Sequence, residues 1–260
     1  TFAIPGIPFF VRTMPTAIYT ISIDAHTSII SYNIPMHQFH KNLLITIVSL
    51  ILSIILGILS HDIVLGGTIL FTGLLSAYFA SQGRKIQYLL SIINYALMSY
   101  AAFHNQLFGS ASFYIVACLP LQLWGFWQWG KNSDKSGEVK RRKFTFKTSV
   151  IVVVSCLVGS LIVGYLLSLI PSQRLSWLDA ASNCVNLCGI ILMTMRYAES
   201  WWIWMVNNTL DLTIWTIIFM GGSSPEAPMM FATSIAYLVI NVYGAIKWWH
   251  ESKIQHKKLP

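Results

Sequence analysis

Trp201, Trp204, Asn208, Asp211 and Trp215 stand three or four residues apart within the run Glu199 to Thr216. Positions i, i+3, i+4 and i+7 of an α-helix share one face, so this spacing aligns three indoles, one amide and one carboxylate. The surrounding run is apolar and long enough to cross a bilayer, and polar groups at that depth face a bundle interior or a water-filled cavity. Indole faces suit flat rings and attract cations by about 0.5 to 2 kcal/mol, depending on desolvation. The stripe therefore reads as a binding site for a flat, uncharged or cationic heterocycle inside a membrane protein. Asp211 is the ionisable residue clearly inside a span. It serves either as a proton-coupling carboxylate or as a partner for a neighbouring indole, hydroxyl or amide, and the structural role weighs more.

Other helices must bring further polar groups to such a stripe. Gln122 and Asn241 lie near the ends of two separate apolar runs, Asn183 and Asn186 sit three residues apart in another, and Asn94 and Tyr100 share a fourth. Converging amides would match a carboxamide or sugar hydroxyls, the neutral donors and acceptors that an amide pairs best. The alternative is bonding between helices, worth about 0.6 kcal/mol on average in a membrane. About half of these six residues are expected to touch ligand.

Composition agrees with a membrane setting. Apolar residues make up 55% of the 260 and charged residues 10%, against about 25% charged in soluble domains. The net charge of +8 is not read as a nucleic-acid signature, because seven of the 17 Lys and Arg crowd into Lys131 to Lys147 with no interleaved aromatic platform. That loop fits the positive-inside rule. Cys118, Cys156, Cys184 and Cys188 fall in apolar runs with no His or second pair to complete a zinc set, so they read as reduced packing residues. No metal or cofactor is expected. Neither H-E-x-x-H nor G-x-S-x-G occurs, which argues against a membrane enzyme.

Eight apolar segments approach the roughly 20 residues of a spanning helix, at 41–60, 62–80, 86–107, 110–130, 148–170, 175–195, 198–220 and 227–248. Residues 1–40 carry four prolines among short apolar runs and read as an irregular or membrane-surface segment, without a visible signal peptide. Residues 249–260 read as a tail. If the basic loop 131–147 is cytoplasmic, alternation puts Lys41, Arg84, Lys85, Arg196, Lys253, Lys257 and Lys258 on the same side, with Arg174 outside. Both chain ends are then cytoplasmic.

An internal repeat is also legible. At an offset of 119 residues, Gln122, Trp124, Gly125 and Trp129 align with Asn241, Tyr243, Gly244 and Trp248, and one segment earlier Asn94 corresponds approximately to Asn208. The first triplet of helices is then 62–130 and the second 175–248, with 148–170 as a linking helix and 41–60 as an extra helix ahead. The expected fold is an all-α integral membrane protein of eight helices, with two parallel three-helix repeats. Parallel repeats related by an axis along the membrane normal are a transporter architecture, with the site at the repeat interface near the midplane.

The pattern Trp201-x-x-Trp204-x-x-x-Asn208, the Gly-aromatic-x-x-Trp endings at Gly125 and Gly244, and the segment Gln122 to Trp129 resemble the PnuC family of bacterial nicotinamide riboside transporters over residues 62–250. The resemblance implies a SWEET-like three-plus-one-plus-three fold in the inner membrane, commonly a homotrimer. It implies facilitated diffusion of vitamin B3 as nicotinamide riboside, trapped by a cytoplasmic kinase. It also implies an aromatic–amide site at Trp201, Trp204 and Asn208, with Gln122 and Asn94 less securely placed. Thiamine is a sister specificity, and some relatives carry Asp where this chain has Asn208. A proton-coupled symporter using Asp211 is the other transport reading.

Overall fold

The computed structural model describes residues 36–104, 113–134, 137–171, 173, 175–221 and 227–257. The expectation for the N-terminal segment falls outside the described residues up to 35; from Met36 the chain is already helical. The described residues form eight helices and no strand: α1 (Met36–Leu59), α2 (Leu65–Ser81), α3 (Ile86–His104), α4 (Leu119–Lys131), α5 (Phe146–Ser168), α6 (Ser176–Thr194), α7 (Ser200–Met220) and α8 (Ala227–Lys257). Five of them, α1, α5, α6, α7 and α8, are long and apolar enough to cross a membrane, and α2 is apolar but shorter.

Hydroxyls that would be stranded in an apolar setting bond back into their own helices. Thr46, Ser53, Thr72, Ser160, Thr209 and Thr233 each donate to the carbonyl four residues earlier, which meets the demand that polar groups be satisfied internally. Thr145 caps α5 by accepting from Thr148 N at 3.2 Å. Ahead of α4, Tyr114–Cys118 is π-helical, and Leu119 N reaches back to Tyr114 O. Pro120 explains the shift, because without an N–H it cannot continue the i→i−4 ladder.

Helix α3 packs against α2 and α4, and α7 packs against α6 and α8. The two sets meet through α2 on α8 and α4 on α6. The remaining helices are placed alike, α1 on α2 and α5 on α6, and their outer faces expose Leu44, Ile51, Leu59, Val153, Leu157 and Leu161. The partners match in detail. Trp129 Nε1 donates to Met193 O at 3.0 Å, near the end of α6; Trp248 Nε1 donates to Ala80 O and Ser81 O at 3.1 Å, at the end of α2. Tyr88 fills the space at Gly125 as Trp201 fills it at Gly244, where an ideal Cβ would lie 2.1 and 2.4 Å from those rings. Gly83 and Arg196 end α2 and α6 with left-handed φ of 67° and 69°. One offset of 113 residues relates 80 to 193, 83 to 196 and 88 to 201. It sets Asn94 opposite Asn207 rather than the expected Asn208.

Two polar segments are tied into the fold. The segment 131–147, expected as a basic loop, bonds to the helix ends: Val139 N donates to Gly83 O at 2.9 Å, Arg142 N to Arg196 O at 2.8 Å, and Ala198 N to Arg142 O at 2.9 Å. It thus lies across the matching turns after α2 and α6. Val139 is wholly buried with Tyr88, Trp129, Trp201 and Trp248. The Arg141 side chain is buried too, ion-paired with Glu251 and 5.0 Å from the Trp248 ring; burial lowers its pKa and the Glu251 charge opposes that shift. The tail expected at 249–260 continues α8 to Lys257, since Glu251 is held by Arg141 and by Lys247 one turn back at 3.6 Å.

Candidate binding site

Helix α7 lies between α6 and α8, so its Trp–Asn stripe points into the bundle. Trp201, only 1% exposed, stands edge-on to Trp248 with ring centroids 5.9 Å apart. Its Nε1 has no hydrogen-bond partner among the described residues. Trp204 is partly buried against this aromatic cluster, and an ideal Cβ at Gly189 of α6 would lie 3.1 Å from its ring. Only a glycine lets the indole lie so close to the neighbouring backbone.

The polar residues divide into two groups. Asn94 is committed to the fold: its Nδ2 donates to Ile69 O at 2.6 Å and to Thr72 Oγ1 at 3.0 Å. Asn183 is exposed and donates to Asp179 Oδ1 one turn earlier at 3.1 Å. Asp211 accepts from Ser182 Oγ and, at 2.9 Å, from Asn207 Nδ2. By contrast Gln122, Asn208 and Asn241 are 4%, 6% and 5% exposed, and their side chains form no hydrogen bond with the described residues. Asn186 Oδ1 is likewise buried without a partner. These four amides come from α4, α6, α7 and α8. An amide buried without partners costs roughly 1 to 3 kcal/mol, a cost that a ligand's donors and acceptors would offset. Trp215 is partly buried, whereas Tyr100 is 56% exposed near the end of α3.

Several residues here escaped sequence reasoning. Asn207 and Ser182 hold Asp211, and the four-residue step from Asn207 to Asp211 was the available signal. Tyr95 lies beside Tyr114, ring centroids 5.9 Å apart, and within electrostatic reach of Tyr237 and Cys118. Tyr237, one turn before Asn241, reaches across to Gly73 of α2 and the Asn94 amide. The open pocket between α1 and α2, about 100 Å³ and lined by Leu50, Ser53, Ile54, Ile63, Gly67, Thr68 and Phe71, includes none of these amides. It is also smaller than the 300 Å³ or so of ordinary ligand pockets. Among the described residues no cluster of three or more His, Cys, Asp or Glu could hold a metal.

Long apolar helices with indoles and amides buried between them define a multi-pass membrane protein. The profile of the nicotinamide mononucleotide transporter family matches residues 63–250, and the chain belongs to that family. It is a transporter and not an enzyme. It is similar to the nicotinamide riboside transporter PnuC of Neisseria mucosa, 28% identical over 183 residues, which cover 68% of each chain. The Haemophilus influenzae protein of the same name is 26% identical over 180 residues, 68% of this chain and 75% of that one. The crystal structure of the vitamin B3 transporter PnuC superposes with a TM-score of 0.68 at 26% identity, covering 83% of this chain and 93% of that chain.

Proposed function

We propose that this protein takes up nicotinamide riboside across the bacterial inner membrane by facilitated diffusion. The observation that carries the proposal is a set of interior amides that make no side-chain hydrogen bond with the described residues, Gln122, Asn208 and Asn241, together with the buried, unpartnered Asn186 Oδ1. The ligand offers a flat cationic pyridinium for the Trp204 indole, and its carboxamide and ribose hydroxyls suit the open amides. Trp201 stands behind Trp204, Trp215 is the outlying member of the stripe, and Asn183 of α6 and Tyr100 of α3 are placed at the margin of the site. No Lys or Arg lies in the middle of any span, so a phosphate would find no cation. This favours the riboside over the mononucleotide, and it makes cytoplasmic phosphorylation by a riboside kinase a trap that renders uptake one-way.

The architecture behind this reading is SWEET-like: α2–α4 and α6–α8 are parallel three-helix repeats, α5 links them, and α1 precedes them. Its support is the exchanged indole bonds and the common offset described above. The basic loop and both chain ends face the cytoplasm, and three copies assemble in the membrane.

Calorimetry on the detergent-purified protein tests the substrate. Nicotinamide riboside should bind, and Trp204→Ala and Asn208→Ala should each weaken it at least tenfold. Thiamine binding in its place would keep the site and change the vitamin. If neither vitamin binds, the reading fails.

A further inference from the structure

We infer that the Asp211 carboxylate is the counter-charge that selects a cationic ligand and fixes its orientation between the two halves; the inference rests on the substrate reading above. Asp211 lies on the same face of α7 as Trp204 and Asn208, seven and three residues away. Its two contacts are both donors to it, Ser182 Oγ and Asn207 Nδ2, so each carboxylate oxygen already accepts one hydrogen bond and keeps further acceptor capacity. Among the described residues no cation pairs with it. The ion pairs among the described residues join Arg84, Arg141 and Lys247 to Glu138 and Glu251, around the basic loop and its end of α8. A carboxylate inside a span without a counter-ion is costly, and a bound monocation relieves that cost where a neutral ligand does not.

The asymmetry between the halves gives the second part. The 113-residue offset sets Asn207 opposite Asn94, but Asp211 opposite Met98 and Ser182 opposite Ile69. On the first half the equivalent amide turns to the Ile69 carbonyl and Thr72. Asp179, the other carboxylate within α6 or α7, is again on the second half, held by Gln173 and Asn183 at 3.1 Å. Asp62 lies against Gly66, the position opposite Asp179, so Asp211 is the carboxylate of this pair of helices with no counterpart on the other half. A ligand with a cationic ring at one end and a neutral sugar at the other has one preferred direction, ring toward α6 and α7.

The test compares two probes of nearly the same shape, nicotinamide riboside and its uncharged dihydro form, binding to wild type, Asp211→Asn and Asp211→Glu. Wild type should prefer the cation at least tenfold. Asp211→Asn should lose that preference through weaker cation binding, with the neutral probe unchanged, which also shows the variant is folded. Asp211→Glu, keeping the charge, should retain it. Equal affinity of wild type for both probes overturns the counter-charge and leaves the substrate reading standing. Equal weakening of both probes by Asp211→Asn overturns it in favour of a positioning role. Binding of neither probe to wild type removes the substrate reading and this inference together.

Discussion

Asn94 and Asn208 carry the same carboxamide, and both are buried, yet they answer to different partners. Removing Asn94 leaves the Ile69 carbonyl and Thr72 hydroxyl without their donor, a loss of roughly 1 to 3 kcal/mol. Asn94→Ala should therefore lower the thermal midpoint in detergent while a riboside-binding wild type and variant differ little in affinity. Asn208→Ala should do the reverse, since no described residue depends on its amide. A variant pair that shifts midpoint and affinity together would remove the distinction. The stripe on α7 was legible from its spacing alone. What each amide does was not, because Asn94's partners stand on α2, 22 and 25 residues away, and no helical period reports on another helix.

At the scale of elements, the turns after α2 and α6 solve one problem with different residues. Both enter the left-handed region and both return N–H groups to the last helical carbonyls, Arg84 N to Phe79 O and Tyr197 N to Leu192 O at 3.0 Å each. Gly83 does this without strain, whereas Arg196 does it at a cost of roughly 1 to 2 kcal/mol for a side chain in that region. Arg196→Gly should raise the thermal midpoint by the equivalent of up to about 1 kcal/mol, the lost Arg196 bond to Lys140 O taking back part of the gain; a lowered midpoint would mean that this bond outweighs the strain. The same comparison explains Gly125. Its lack of a Cβ admits the Tyr88 ring, so it is a site of close packing. The repeat was visible in α4 and α8 because Trp, Gly and amide recur there at one offset. Between α3 and α7 the aligned residues are Tyr88 and Trp201, different in type and alike only in what they fill, so the register slipped by one.

Taken whole, the molecule has its length and apolar helices written plainly in the sequence, while the contacts that join its halves are backbone bonds and indole N–H groups reaching far along the chain. Trp129, from the first half, satisfies a carbonyl at the end of α6, and Trp248, from the second, satisfies those at the end of α2. Each half thus lends the other a cap that it does not provide for itself. Cut between Asp134 and Gly137 and produced together, the two pieces should co-purify, and Trp129→Ala with Trp248→Ala should separate them; pieces that never associate would contradict the exchange. Neither set of helices, produced alone, would have all its last-turn carbonyls met, so each would be stable only where a second chain offered it a tryptophan.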